Sequence, residues 1–381
     1  MCTEVEYLID EINKRMKTHE QVNAETNNGE LFIQIKKDFL VKYPDKEQEF
    51  LKYTESPKIT IALIKKIRNI EDINKIIIPI SFSVSFTEEL SKNINLDEFT
   101  IRHYTKFDPK SFGGKIKSNL TLTAKGNKPL TRSSGHTTGA DWNLFGNVGD
   151  TFYSLFRNGK LASNNSIPSF IKDATFYIEW SLKDFGECWA SGDWLSCIIN
   201  EPKKPASLPI PPLSYSGSAN DVVLASLLCN PLQTDEKAAL KEIKETLQKG
   251  IPQTIDDDSP IPFLKFVTNF EIKKHGSMSF NRYFDINKNT WVEYKDSLKC
   301  WEYYDNDLKS NVQWYTNKNF WEYYNSDLNL RAGWNPKNKR WESFDDSISE
   351  ILWDTENNCW KATINPQNYY SVQEKRWIPI C

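Results

Sequence analysis

Three separated stretches of this chain carry side chains that suit one piece of chemistry. FTIRHYTKF (99–107) presents Arg102, His103, Tyr104 and Thr105; DWNLFGNVGDTFYSLF (141–156) ends near Phe152, Tyr153 and Ser154; NFEIKKHG (269–276) carries Glu271 and His275. A guanidinium or imidazole can hold ribose or phosphate, and an aromatic ring can face a planar heterocycle. A hydroxyl can orient a carboxylate, and the carboxylate can stabilise positive charge developing on a sugar. Together these are what breaking the glycosidic bond at a nicotinamide ribose requires, because that reaction passes through an oxocarbenium-like state. The even step from Glu271 to His275 puts both side chains on one strand face.

Each of these residues also has a plainer role. His103 alternating with Tyr104 is the pattern of an ordinary surface or core histidine, and Glu271 that of a solvent-facing strand carboxylate. Glu179 in FYIEW and Glu187 in DFGECWASGDW compete for the acidic position. Other chemistries find less support. Cys188 or Cys197 paired with His103 or His136 has no flanking signature, and the chain holds four His in all. No GxGxxG follows a strand, and no lysine closes a phosphate-cradling glycine run. HTTGAD (136–141) reads as a turn and not a metal site, and the seven scattered cysteines lack paired zinc spacing, so reduced, mostly buried thiols are expected.

The elements that must position these groups form an α+β chain. Val5, Leu8, Ile9 and Ile12 fall at helical spacing over 3–16, and a second helix is expected over 30–42. PKITIALIKKIRNI (57–70) makes a basic amphipathic helix, read either as a core-facing helix with solvated lysines or as a target for a calmodulin-like activator. From Lys75 the runs IIIPISFSVSF (76–86), FTIRHYT (99–105), KIKSNLTLTA (115–124), DTFYSLF (150–156) and DATFYIEWSL (173–182) read as antiparallel strands. EPKKPASLPIPPLSYSGSA (201–219) reads as an extended connector, 220–228 and 234–249 as helices, and the acidic-proline run at 256–262 leads into a last strand over 263–276.

Beyond Ser277 the sequence repeats itself. Trp301 and Trp321, Trp314 and Trp334, and Trp321 and Trp341 stand 20 residues apart. Phe284 and Trp291, Trp314 and Trp321, Trp334 and Trp341, Trp353 and Trp360, and Tyr370 and Trp377 stand seven apart, mostly with turn chemistry between them. Each unit is therefore a hairpin, and neighbouring hairpins must stack to bury their aromatics in a short solenoid or meander. In general plan these units resemble the choline- and glucan-binding repeats of bacterial surface proteins. The rings serve either as a core or as a glycan- or protein-binding surface.

The three chemical stretches, RHYT (102–105), FGNVGDTFYSLF (145–156) and NFEIKKHG (269–276), together resemble the ADP-ribosyltransferase superfamily, in which a first strand bears Arg or His, a second an aromatic or Ser/Thr motif, and a third a Glu. The likeness is to the bacterial effector and toxin group, the OspC-type arginine ADP-riboxanases in particular. It implies NAD as the cofactor, with His103 on a ribose or the nicotinamide amide and Arg102 or Thr105 beside the phosphates. Tyr104 lies in the same cofactor-binding strand. Phe152 or Tyr153 would face the nicotinamide, Ser154 would orient the acid, and Glu271 would act on the ribose 2′-hydroxyl. It further implies transfer of ADP-ribose to a host protein, on arginine, as ADP-ribosylation or ADP-riboxanation, by a secreted effector acting in host cytoplasm. Those relatives carry ankyrin repeats, whereas here Trp hairpins take the C-terminal place.

The organisation expected is a helical N-terminal region (1–74), a split antiparallel β ADP-ribosyltransferase-like domain (75–280) and an all-β hairpin-repeat module (281–381). The net charge of −3 and isoelectric point near 6.0 offer no counterion-releasing surface for nucleic acid. No run approaches a membrane span, and the acidic, polar start is not that of a signal peptide. The rival to an enzyme is a binding protein in which the aromatic array recognises glycan or protein and the central domain is a scaffold.

Overall fold

The computed structural model describes residues 3–82, 84, 88, 94–130, 139–162, 169–192, 214–228 and 270–315, then the strand residues between 320 and 379 with 337–338. His136, Cys197, the proline-rich 201–213, the helix expected over 234–249, the acidic run 256–262 and residues 263–269 lie outside the described residues. The protein is mixed α+β, with mostly antiparallel strand pairing. It divides into two compact units. The first is Met1–Tyr104, Gly114–Asp173 and Glu179–Phe280; the second is Thr105–Gly113, Ala174–Ile178 and Asn281–Cys381. Among the described residues no helix is long and apolar enough to cross a membrane.

Four helices open the first unit. In α1 (Glu4–Arg15) a capping box closes the start, with the Glu6 amide donating to Thr3 and the Thr3 amide donating to Glu6. α2 (Asn28–Lys42) and α3 (Glu47–Thr54) follow, and α4 (Pro57–Arg68) begins on proline and ends at left-handed Asn69. Leu8, Ile12, Phe32, Phe39, Phe50, Ile59, Leu63 and Ile67 meet in their shared, fully buried core. The isoleucine stripe of α4 is thus consumed inside the fold. A groove-binding partner would meet its lysines and not its apolar side.

KIKSNLTLTA is not a strand beyond β3 (Lys115–Ile116). Ser118 accepts a hydrogen bond from the Thr121 amide and starts α5 (Asn119–Gly126). The alternation in NLTLTA fits a helix as well as a strand, because it also places Leu120 and Ala124 four apart, and both are fully buried against the other helices. At the far end Lys36 of α2 donates to the Ala124 carbonyl and to the Asn127 side chain at 2.7 and 2.9 Å, satisfying the helix terminus with a buried ammonium.

The sheet of the first unit runs β1 (Ile77–Pro79), β8 (Ser214–Ser218), β7 (Glu187–Gly192), β9 (Phe270–His275), β4 (Asp150–Arg157) and β2 (Phe99–Thr105). β1 and β8 pair in parallel, and the other neighbours in this order are antiparallel. A short β5 (Lys160–Leu161) folds back on β4, β10 (Met278–Ser279) pairs with β3, and β6 covers Phe176–Ser181. The helices are seated at one end of β4 and β9 by two glycines. A Cβ on Gly149 would strike the Thr60 hydroxyl; one on Gly276, whose φ is +76°, would strike the Glu55 carbonyl.

In the second unit eleven strands follow one another as antiparallel neighbours: β11 (Arg282–Asp285), β12 (Thr290–Lys295), β13 (Cys300–Asp305), β14 (Ser310–Tyr315), β15 (Phe320–Asn325), β16 (Leu330–Asn335), β17 (Arg340–Ser343), β18 (Ile351–Asp354), β19 (Cys359–Ala362), β20 (Asn368–Ser371) and β21 (Arg376–Pro379). The aromatic pairs seven apart sit directly opposite each other: Phe284 with Trp291, Trp314 with Trp321, Trp334 with Trp341, Trp353 with Trp360, Tyr370 with Trp377. Turns are fixed by left-handed Asn289, Lys299 and Lys309 and by Asp285, Asp305 and Asn335, whose side chains accept from amides two or three residues on.

One face of this meander buries Tyr283, Trp301, Tyr303, Trp321, Tyr323, Trp341, Trp353 and Trp360, while Tyr304 and Tyr324 stand exposed on the other. The buried face is concave, because Tyr323 of β15 stacks at 5.7 Å on Trp360 of β19. Two lysines insert into it. The Lys110 ammonium lies 4.3 Å over Trp314 and 4.7 Å over Trp321, and bonds to Asp108 at 2.6 Å and the Tyr283 hydroxyl at 3.3 Å. One repeat on, Lys288 lies 4.8 Å over Tyr303 and 5.2 Å over Trp334. At the position one further repeat on stands Leu308, fully buried.

Candidate active site

Strand register assembles the site. Arg102 on β2 is paired with Ser154 on β4, and Tyr153 on β4 with Ile272 on β9. Continuing that register by one residue sets Ser154 beside Glu271, which is itself paired with Ser191 on β7. Directly paired residues point to the same face, so Arg102, Ser154, Glu271 and Ser191 form one row across four adjacent strands. By the alternation of the strands Tyr104, Phe152, Lys273 and Trp189 form the next row on that face, and Asp150 and His275 the one after.

Charge on this face is organised by buried pairs. Arg102 donates from Nε to Glu179 at 2.5 Å and from Nη1 to the Tyr104 hydroxyl at 3.3 Å, and its guanidinium lies 4.4 Å over Phe156. Burial alone would lower its pKa, but the bonds to Tyr104 and Glu179 outweigh it and hold the guanidinium above its ordinary value. Burial pushes the Tyr104 hydroxyl up. The Glu271 carboxylate is 26% exposed and lies 3.2 Å from the ammonium of fully buried Lys273, which also donates to Ser191 at 2.9 Å and sits 5.0 Å over Trp189. His275 Nδ1 bonds to Asp150 at 2.6 Å. Burial would lower the His275 pKa, but the charge and hydrogen bond of Asp150 outweigh it and raise it.

Not every expected residue joins this face. His103 is turned to the opposite side: its ring packs edge-on against Tyr153 at 5.7 Å, and its Nδ1 bonds to the Phe152 carbonyl at 2.9 Å. Tyr153 is buried there too, its ring against Trp180 and Phe185, so of the two aromatics only Phe152 shares a face with Glu271. The reason is the strand's own period of two, which separates Arg102 from His103 and Ser154 from Tyr153. Thr105 accepts from the Phe107 amide at 3.0 Å, closing its own turn. Glu179, a competitor for the acidic role, is the partner of Arg102, and Glu187 gives its carbonyl to Lys274. Burial pushes the Cys188 thiol up to about 12, which removes it as a thiolate nucleophile at neutral pH.

Lys273, Ser191, Glu179 as the arginine's partner, and Asp150 as the histidine's were not singled out from the sequence. The signal that finds two of them is parity: 150, 152 and 154 on one strand and 271, 273 and 275 on its neighbour are alternate positions of a shared face. Among the described residues no group of three His, Cys, Asp or Glu is placed to hold a metal ion. Comparison with known proteins gives no match: no family model, no curated protein and no solved structure resembles the chain closely enough to be matched.

Proposed function

We propose that this protein transfers ADP-ribose from NAD to a side chain of an acceptor protein, releasing nicotinamide, and that Arg102, Ser154 and Glu271 carry the reaction. The observation behind this reading is their common row across β2, β4 and β9. Strands about 4.8 Å apart put the guanidinium strand about 10 Å from the carboxylate strand, the scale of a ribose joined to a diphosphate. An Arg, a Ser and a Glu on three strands are also what the resemblance to ADP-ribosyltransferases asks for. In this reading Arg102 binds the diphosphate with its fork geometry, Phe152 faces the nicotinamide, and Ser154 orients Glu271 toward the ribose hydroxyl. The bound dinucleotide supplies the electrophilic ribose carbon. Glu271 supplies negative charge beside it, in a partly desolvated position where charge acts strongly. His103, Tyr153 and Thr105 have no part in this version of the site. The acceptor as a host protein, arginine as its modified side chain, and a life as a secreted effector follow from the resemblance.

The experiment is incubation of the full chain with NAD and cell lysate, reading nicotinamide release and mass-shifted peptides. Glu271→Gln should lower both by about 10²- to 10³-fold, the usual cost of removing one charge-stabilising group. Absence of both signals with the unaltered chain would remove the reading. The exposed Tyr304 and Tyr324, 20 residues apart on the outer face of the meander, favour a recognition role for the second unit. Glycan or protein binding lost on Tyr304→Ala with Tyr324→Ala, without any NAD turnover in the parent, would support the non-enzymatic alternative.

A further inference from the structure

We propose that His275, held by Asp150, accepts the proton that the acceptor side chain must lose, and that the acceptor is accordingly a proton-bearing nucleophile such as a guanidinium and not a carboxylate; this rests on the transfer reaction proposed above. The imidazole that shares a face with Glu271 is this one, since β9 turns 271, 273 and 275 the same way. Asp150 is fully buried, and a carboxylate can only accept here, so the imidazole donates from Nδ1 and leaves a lone pair on Nε2. Nε2 has no hydrogen-bond partner among the described residues, and the His275 side chain is 24% exposed. Trp189 backs the ring at 5.6 Å with a tilt of 35°. The other carboxylate oxygen of Asp150 is buried without a partner. A buried carboxylate behind a mostly buried imidazole with one accessible edge is the arrangement that fixes the tautomer and stabilises the imidazolium once a proton arrives.

Four residues of strand separate Glu271 from His275, about 13 Å at roughly 3.3 Å each, a span that a ribose and a planar guanidinium fill between them. In the step, the acceptor nitrogen forms a bond to the ribose anomeric carbon while that carbon's bond to the nicotinamide nitrogen breaks. The electron pair of the broken bond stays on nicotinamide, which leaves neutral. The proton of the acceptor nitrogen passes to His275 Nε2 and then to solvent. Charge and atoms balance with no further reactant. A carboxylate acceptor would have no proton to give, and the dyad would have nothing to do.

The groups bearing on the imidazole are Asp150 from β4, Lys273 and Lys274 on its own strand, Glu187 at the position opposite on β7, and Glu55 beside Ser277. Lys274 is turned to the Phe185 and Glu187 carbonyls, so Asp150 is the only one bonded to the ring.

The test follows the ratio of protein-bound to free ADP-ribose, because water and the acceptor compete for the same ribose. With the unaltered chain the ratio should rise with pH along a single-proton limb centred above the ordinary imidazole value of about 6.5. Asp150→Asn should move that limb to lower pH, and His275→Gln should lower the ratio by about 100-fold. A ratio that is flat between about pH 5.5 and about pH 9 in the unaltered chain, which needs no variant to fold, overturns the inference. So does a His275→Gln ratio equal to that of the parent. In either case nicotinamide release persists and the transferase reading stands; a parent that releases no nicotinamide removes both.

Discussion

At the scale of single residues, this site is built from charges that are never left alone. Arg102 leans on Glu179, Glu271 on Lys273, and His275 on Asp150. Each pair makes a distinct forecast. Replacing Arg102 by Lys keeps the charge but loses the planar fork that spans Glu179 and Tyr104, so NAD affinity measured by calorimetry should fall by about tenfold or more, roughly 1.4 kcal/mol. Because Asp150 raises the folded-state pKa of His275, that histidine contributes stability below its unfolded value of about 6.5, and the contribution disappears as pH rises through the higher folded value. Urea unfolding should therefore show a decline in stability that starts near pH 6.5 and ends at the folded value, and His275→Gln should abolish it; an unchanged pH dependence in the variant would refute it.

At the scale of elements, sequence period and cap chemistry were readable where one face dominated. α1, α2 and α4 announced themselves through three- and four-residue apolar spacing with Thr3 and Pro57 at their starts, and β2 and β4 through β-branched and aromatic runs. The hairpins were legible because rings seven apart, with turn residues between them, meet only if the chain reverses. What was not legible had physical causes. Leu and Thr alternate in NLTLTA both as a strand and as a helix, and the Ser118 cap decides. The choice between His103 and Arg102 depends on which face of β2 the rings of Tyr153, Trp180 and Phe185 cover, and no local pattern encodes that. Nor does sequence show that Gly149 and Gly276 lie against Thr60 and Glu55. Gly276→Ala must both adopt a left-handed φ and displace the Glu55 carbonyl, and should destabilise by about 1–3 kcal/mol in chemical unfolding. Ser118→Ala, which loses the cap and the buried contact with the Thr121 hydroxyl, should lower stability by about 1 kcal/mol or somewhat more.

At the scale of the whole molecule, the two units draw on different sources of order. The first buries a mixed aliphatic and aromatic core beneath its helices, whereas the second relies on aromatic rings, two of whose clusters close over lysines. Lys110→Met removes the ammonium while keeping the length of the side chain, and leaves Asp108 and the Tyr283 hydroxyl without their cation. The second unit should lose about 2 kcal/mol, the value of a desolvated cation–π contact. Most of the 13 tryptophans lie after residue 290, so their fluorescence during urea titration reports on that unit. A transition coincident with the parent would argue that Lys110 is only a passenger.

The repeats therefore do not make a transplantable cassette. The Lys288 cluster takes its cation from a turn of the array itself, but the Lys110 cluster is supplied from Thr105–Gly113, some 170 positions upstream, and Tyr177 stacks on Phe284 from Ala174–Ile178. A fragment cut at Asn281 would begin with an unplugged ring of tryptophans, and grafting the tail onto another carrier would require carrying both upstream threads along with it.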